Sequence, residues 1–457
     1  MWDHCSSPRV FNLVSNSLAK RLPFYYGYVM APIAMMMQIG TSPGQTFAVS
    51  AFTPALLESL DLSQGRLALA YMLGTLLAAV PLGVIGPWSD RWGLRRVSLL
   101  VIVGLGAACF WASHVRGFLG LFVAFFLLRF LGQGALSLLG GNTASMWFRN
   151  KLGRVSALIS IGTAAAFAWV PEWLTDSIHT HGWRVTYQCV GLILVAGLTP
   201  CILLLFRNRP EELGQVLDGE DVLNAERDER IESRGASELN RRASRQAMAR
   251  VHDTETVVCD DLTLGQARRT WGFFILAATQ SLWALVGTGI VFYLFTLCED
   301  RGYEATTAPS LFKSFGLSML VAQVVGSVLA DYQPPHRLLG IGTGLLTLGV
   351  AAIAFLDSVS TMHLFALAFG AGQGVLIAVM GVVWVKFYGR MHLGSIRGAV
   401  WCVTVAGSGC GPLIMGTLKD ATGHYEAALL AFFAMLSPVA IATWFVRAPR
   451  ETALPAS

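Results

Sequence analysis

Residues 86–96 read GPWSDRWGLRR and place four charges, Asp90, Arg91, Arg95 and Arg96, between two apolar runs. The run before it, LALAYMLGTLLAAVPLGVI (67–85), holds 19 residues without a charge, and VSLLVIVGLGAACFWAS (97–113) follows equally bare. Either run is long enough to cross a bilayer as helix, which takes about 20 residues. The charged stretch is therefore a turn at a membrane surface, with Gly93 in a position to reverse the chain.

The whole chain agrees with that reading. Of its 457 residues 54% are hydrophobic and only 13% charged, whereas a soluble domain carries about a quarter charged residues. The chain lacks the charge to coat a soluble core of its own size. Its net charge of +5 lies in loops, with no basic stretch interleaved with stacking aromatics, so nucleic acid is not a partner. Eight cysteines are scattered without C-x-x-C or paired spacing, which points to neither a metal site nor a disulfide framework. The first 23 residues lack the pattern of a cleaved secretory signal and read as a retained tail.

Twelve spans are predicted, at about 24–53, 67–87, 97–115, 119–146, 155–176, 184–206, 271–298, 309–330, 337–356, 362–385, 397–418 and 425–446. The division is a tail (1–23), a six-helix bundle (24–206), a linker (207–270), a second six-helix bundle (271–446) and a tail (447–457). The linker contains NAERDERIESRGASELNRRASRQAMARVHD, charged and almost free of aromatics, and reads as solvated. Tails and short loops on one side carry 15 lysines and arginines, and the linker adds eleven, against five on the other side (Arg66, Arg116, Arg184, Arg301 and Lys419). The positive-inside rule then places both termini and the linker in the cytoplasm of a multi-pass protein of the cell's inner membrane.

The two halves are related. LGQGALSLLGG (131–141) returns as AGQGVLIAVMG (371–381), an offset of 240. Asp90 and Arg96 return 241 residues later as Asp331 and Arg337, Gly153 as Gly394, and Pro171 as Pro412. Matches in one order at one offset predict an all-α membrane protein of two pseudo-symmetric six-helix bundles. Such repeats enclose a mid-membrane site in transporters.

The stretch G-x-x-x-D-R-x-G-x-R-R, with Gly86, Asp90, Arg91, Gly93, Arg95 and Arg96 in its fixed positions, resembles the signature loop of the major facilitator superfamily. RFLGQG (129–134) in the fourth span resembles that superfamily's second signature. Within it, MWFRNKLGRVSALISIGTAAAFAWVPEWL followed by HGWR (146–184), and PFYYGYVM (23–30), resemble the branch of monocarboxylate transporters and oxalate–formate exchangers. That branch often carries an Asp and an Arg about four apart in the eighth span; Met319 and Gln323 stand there in this chain, and the first span has no lysine. The resemblance implies a gating role for the signature loop and for its degraded copy at Asp331 and Arg337. It also implies secondary active transport of an organic anion such as a monocarboxylate by alternating access.

Ionisable groups inside spans cost several kcal/mol by most estimates, and three stand out. Arg129 lies ten residues into the fourth span, about 15 Å deep at ~1.5 Å per residue, and Phe369 occupies its repeat position. Either it meets an anionic solute or it ties backbone carbonyls. Glu172, opposite Leu413 in the repeat, either carries a proton or faces outside water. Lys313, one turn into the eighth span, is expected to snorkel to the interface. Uncharged candidates for a polar cavity are Gln38, Gln45, Asn142, Gln280, Tyr293 and Gln373. GTSPGQ (40–45) is predicted to break the first helix near its middle, and such breaks occur only where protein or a cavity satisfies the backbone. Gly407 and Gly411, beside Pro412, read as a helix-packing pair.

Nothing requires a cofactor. Glycine strings such as GIGTGLL follow no strand, and no nucleophile–base pair or ATP-binding domain is present, so the chain is not read as an enzyme. A small solute, with a proton as the candidate coupling ion, and the bilayer are the expected partners. Oligomeric state is not legible. The competing readings are a drug or metabolite exporter, disfavoured by the fifth span, and a membrane sensor acting through the linker.

Overall fold

The computed structural model describes residues 24–148, 151–216, 262–389 and 393–447. Among them every regular element is a helix. Twelve passages run in sequence order. The first is divided into α1a (Gly27–Gly40) and α1b (Thr46–Leu60), followed by α2 (Gln64–Trp92) and α3 (Leu94–Ser113). The fourth, α4, begins at Phe118–Leu128, widens to π-helix at Arg129–Leu136 and ends at Ser137–Trp147. Then come α5 (Leu152–His181) and α6 (Trp183–Leu205). The second half holds α7a (Trp271–Phe292), α7b (Leu294–Asp300), α8 (Thr307–Tyr332), α9 (Pro335–Phe355), α10 (Val359–Tyr388), α11 (Leu393–Thr422) and α12 (Glu426–Thr443). Ten of these passages are long and apolar enough to cross a membrane by composition. The other two are the divided first passage and α5, which carries Glu172, Asp176, His179 and His181.

The break in the first passage follows from its residues. Pro43 has no N–H to give the ladder. Thr41 Oγ1 donates to Gln38 O at 2.6 Å and Ser42 Oγ donates to Ile39 O, local bonds that compete with helix continuation. Gln45 is extended, at φ −87° and ψ 149°, and α1b restarts from it.

The charged stretch differs from the expectation in one respect. Residues 86–92 are not a loop: α2 continues through them to Trp92, since a helix leaving the bilayer keeps its hydrogen bonds while its charges meet water. Reversal happens at Gly93 alone, at φ +84°, where any side chain would be strained. At the far ends of the fifth and eleventh passages the same device appears twice, at Gly182 (φ +80°) and Gly423 (φ +84°), one repeat offset apart.

The packing repeats with the sequence. In the first half α4 packs on α2 and α3, α1 on α5, and α3 on α6; in the second α10 packs on α8 and α9, α7a on α11, and α9 on α12. Across the halves α2 meets α11 and α5 meets α8, two contacts that the same two-fold exchanges. Twelve passages return Phe24 and Arg447 to one side, the terminal end. Among the described residues, every hydrogen bond, ion pair and aromatic contact between the halves lies from mid-span to the opposite, far end.

Both described ends of the linker fold onto the bundles. Asn208 Oδ1 accepts the Arg95 N–H at 2.9 Å, capping α3. Gln215 Oε1 accepts the Tyr26 N–H at 2.9 Å, and Leu262 N donates to Tyr388 O at 3.1 Å. The segment expected to be solvated is thus narrower than 207–270. Its centre, 217–261, lies outside the described residues, as do both tails.

Candidate functional site

Arg129 sits in the π-helical stretch of α4 and is 4% exposed. Its Nη1 donates to Gly44 O at 3.1 Å and reaches Thr46 Oγ1 at 3.5 Å, so it closes the gap that the broken first passage leaves open. The guanidinium lies over the Tyr71 ring at 5.0 Å, and Tyr71 Oη is 2.8 Å from Thr46 Oγ1. Its Nε has no hydrogen-bond partner, and no carboxylate among the described residues pairs with it. One buried cation therefore faces carbonyl, hydroxyl and aromatic groups alone. Arg207, also buried, shares this lack of a carboxylate but lies past the end of α6 at the terminal end.

The site is built on two backbones in contact. A Cβ added at Gly44 would come within 3.0 Å of Leu128 O, Gln133 N and Gly132 Cα. Only glycine at 44 lets the turn approach α4 so closely.

The polar residues expected around a cavity divide into two groups. Asn142 on α4, Gln280 on α7a and Gln373 on α10 make no hydrogen bond among the described residues. Gln373 lies against α7a beside Gly287. The others are engaged. Gln38 Nε2 donates to Ser137 O at 3.0 Å and its Oε1 accepts from Ser137 Oγ at 3.1 Å, so its amide ties α1a to α4. Gln45 Nε2 donates to Thr41 Oγ1 at 3.1 Å, bracing the break. Tyr293 donates to Gln64 O at 2.6 Å and is fully buried between the halves near the far end. It holds the halves together there and does not line an open cavity.

Glu172 does not face water alone. Lys313 Nζ of α8 donates to its Oε1 at 2.7 Å, so Lys313 pairs across the two halves, where the sequence alone suggested only snorkelling to the interface. Nearby, Phe167 of α5 stacks on Phe315 of α8 at 4.8 Å.

At the far end Asp420 of α11 accepts the N–H groups of Gln64 at 3.1 Å and Gly65 at 2.8 Å. A carboxylate thus caps α2, where the helix dipole favours negative charge. Sequence reasoning missed this contact, and missed Tyr71, whose ring sits in an apolar run like any core aromatic.

The hydrogen bonds seen in the signature stretch include Arg95 N–H to Asn208 Oδ1 and Ser89 Oγ to Gly86 O, both within the first half. Arg95 donates to Leu203 O within its own half; Arg91 and Arg96 are exposed. A Cβ at Gly86 would meet nothing within 4 Å, so the close helix approach expected there is absent from this conformation. Arg337 donates to Gln333 Oε1 at 3.4 Å, in the turn that joins α8 to α9. The side chains of Asp90 and Asp331 lie outside the described residues. No group of metal ligands occurs among the described residues.

Two six-helix halves with a buried cation at mid-span, joined on one side of it, have the architecture of a two-bundle membrane transporter. The chain belongs to the Major Facilitator Superfamily, which its residues 27–369 match. It is 21% identical over 374 residues to the uncharacterized MFS-type transporter YhjX of Escherichia coli, covering 80% of this chain and 82% of that one. It is 25% identical over 418 residues to Monocarboxylate transporter 11 of Mus musculus, covering 89% and 84%. The nucleoside transporter NupG superposes with a TM-score of 0.64 at 12% identity, over 93% of this chain and 99% of that one. That likeness concerns the fold alone.

Proposed function

We propose that the chain is a secondary active transporter that moves a small organic anion, of the monocarboxylate class, by alternating access. The observation that carries this reading is Arg129: a buried guanidinium with no carboxylate partner among the described residues and an unpaired Nε, at the crossing of the broken first passage and α4. An unpaired buried cation is costly, and an anionic solute would offset that cost. The kinship with proteins named as monocarboxylate transporters supports the same class of solute.

Asn142, Gln280 and Gln373, each without a hydrogen-bond partner among the described residues, supply uncharged hydrogen bonds around the solute. Glu172 is the candidate proton carrier, with Lys313 its counter-ion in the present state. The signature loop, from Gly86 to Arg96 with Asp90 at its centre, latches the terminal end in the other state, helped by Asp331 and Arg337. With the termini and linker in the cytoplasm of the inner membrane, the present conformation is closed to the outside. The test is uptake of radiolabelled lactate and formate into proteoliposomes, with and without a pH gradient. Accumulation that depends on Arg129 supports the reading; binding without accumulation would make the protein a sensor.

A further inference from the structure

Tyr71 is buried, uncharged and in contact with both halves of the molecule. Its ring carries the Arg129 guanidinium at 5.0 Å on one side. On another it meets Phe292 of α7a at 4.6 Å, edge to face. Phe292 packs on Tyr293 at 4.8 Å, and Tyr293 donates to Gln64 O at 2.6 Å. Gln64 N is the group that Asp420 holds at 3.1 Å. A chain of direct contacts therefore runs from the mid-span cation to the capped end of α2, crossing between the halves at Tyr71–Phe292 and again at Tyr293–Gln64.

We infer that Tyr71 is a positioning residue that holds Arg129 over the broken first passage and couples its site to closure of the far end. The inference rests on the transport reading above for what Arg129 binds, but the coupling is a property of the protein without solute. The two-state element is the far end itself: Asp420 on α2 and Tyr293 on Gln64 are either made or broken. Removing charge above the Tyr71 ring loosens its packing on Phe292, and Phe292, with Tyr425, packs on Tyr293. Spatial continuity alone does not prove coupling; non-additivity does.

The experiment is hydrogen exchange of the full chain in nanodiscs without solute, read on the segment 61–68, whose Gln64 and Gly65 amides Asp420 protects. Arg129→Gln is expected to speed exchange there by up to about thirtyfold, the size a desolvated cation–π contact carries. In a Tyr71→Leu background the same substitution is expected to change it less than about twofold. Tyr71→Phe, which keeps the ring, retains the wild-type response. Exchange at the first turn of α3 on the terminal side, where Asn208 Oδ1 accepts the Arg95 N–H, stays unchanged, which separates coupling from general loosening. If Tyr71→Leu does not fold, Phe292→Leu cuts the same chain one contact later and is expected to abolish the response equally. Equal effects of Arg129→Gln in both backgrounds, or none in either, would overturn the inference. Uptake measured on the same samples tells failure of coupling from failure of anion transport.

Discussion

Lys313 of α8 and Glu172 of α5 form an ion pair at 2.7 Å that joins the two six-helix halves, each side chain a little over one third exposed. A pair this exposed contributes at most about 1 kcal/mol to stability, so its interest lies in what happens when it parts. Glu172→Gln is expected to leave melting temperature nearly unchanged while removing the acceleration of uptake by a pH gradient. Solute exchange at equal pH should survive. Loss of both modes together would mean that Glu172 is not a proton carrier.

Arg129→Gln should stop anion uptake while the protein still reaches the membrane. Arg129→Lys should lower apparent affinity by about tenfold or more, because it gives up the planar fork and a charge-assisted hydrogen bond worth about 1.5–3 kcal/mol. Uptake and thermal melting on the same purified variants decide the matter. Parallel loss of stability and transport would assign Arg129 to tying Gly44 O.

Gly44→Ala and Gly86→Ala should differ sharply. At 44 the new methyl group meets two backbones that cannot turn aside, an overpacking cost of about 1–3 kcal/mol. At 86 it meets nothing, and alanine is the better helix former by about 1 kcal/mol. Melting curves in detergent read both directly. Slowed turnover in a stable Gly86→Ala protein would show that another helix approaches there in the second conformation.

Asp90→Asn should reduce turnover more than it raises half-saturation, because the signature loop lies far from Arg129 and acts on conformation. A mutant with normal maximal rate and raised half-saturation would remove the latch role.

Deleting 220–255 should preserve insertion and most uptake, since long loops close at little entropic cost. The deletion must stop short of Gln215, whose amide holds the Tyr26 N–H. Complete loss of uptake would show that the centre of the linker regulates the bundles.

What sequence revealed and what it hid follow from range and chemistry. Arg129 was legible because a guanidinium in an apolar run has no ordinary reason to be there. The two-bundle fold was legible because GQG and the Asp–Arg pairs recur at one offset. The turn at Gly93 was legible too, though not the extra helical turn before it, since charge marks where a helix meets water and not where it stops. Tyr71 was invisible for the opposite reason: an aromatic ring among leucines reads as packing until its neighbours are known. The pairing of Glu172 with Lys313 spans 141 residues, and no local pattern announces it. Gln38 was misplaced because an amide looks alike whether it faces a cavity or, as here, Ser137.

The antiparallel pair of α2 and α11 behaves as a lever. Its pivot is taken where α11 and α2 touch at mid-span, with Cys410 Sγ 3.9 Å from Met72 Sδ. On one side of the pivot Asp420 grips the first turn of α2. On the other, Arg91 in the last turn of α2 is exposed. A rigid lever cannot press both arms down at once. On the proposed latch role, whatever strengthens the grip at Asp420 disfavours the state in which the signature stretch engages, and a cell could bias the cycle by acting on either arm alone.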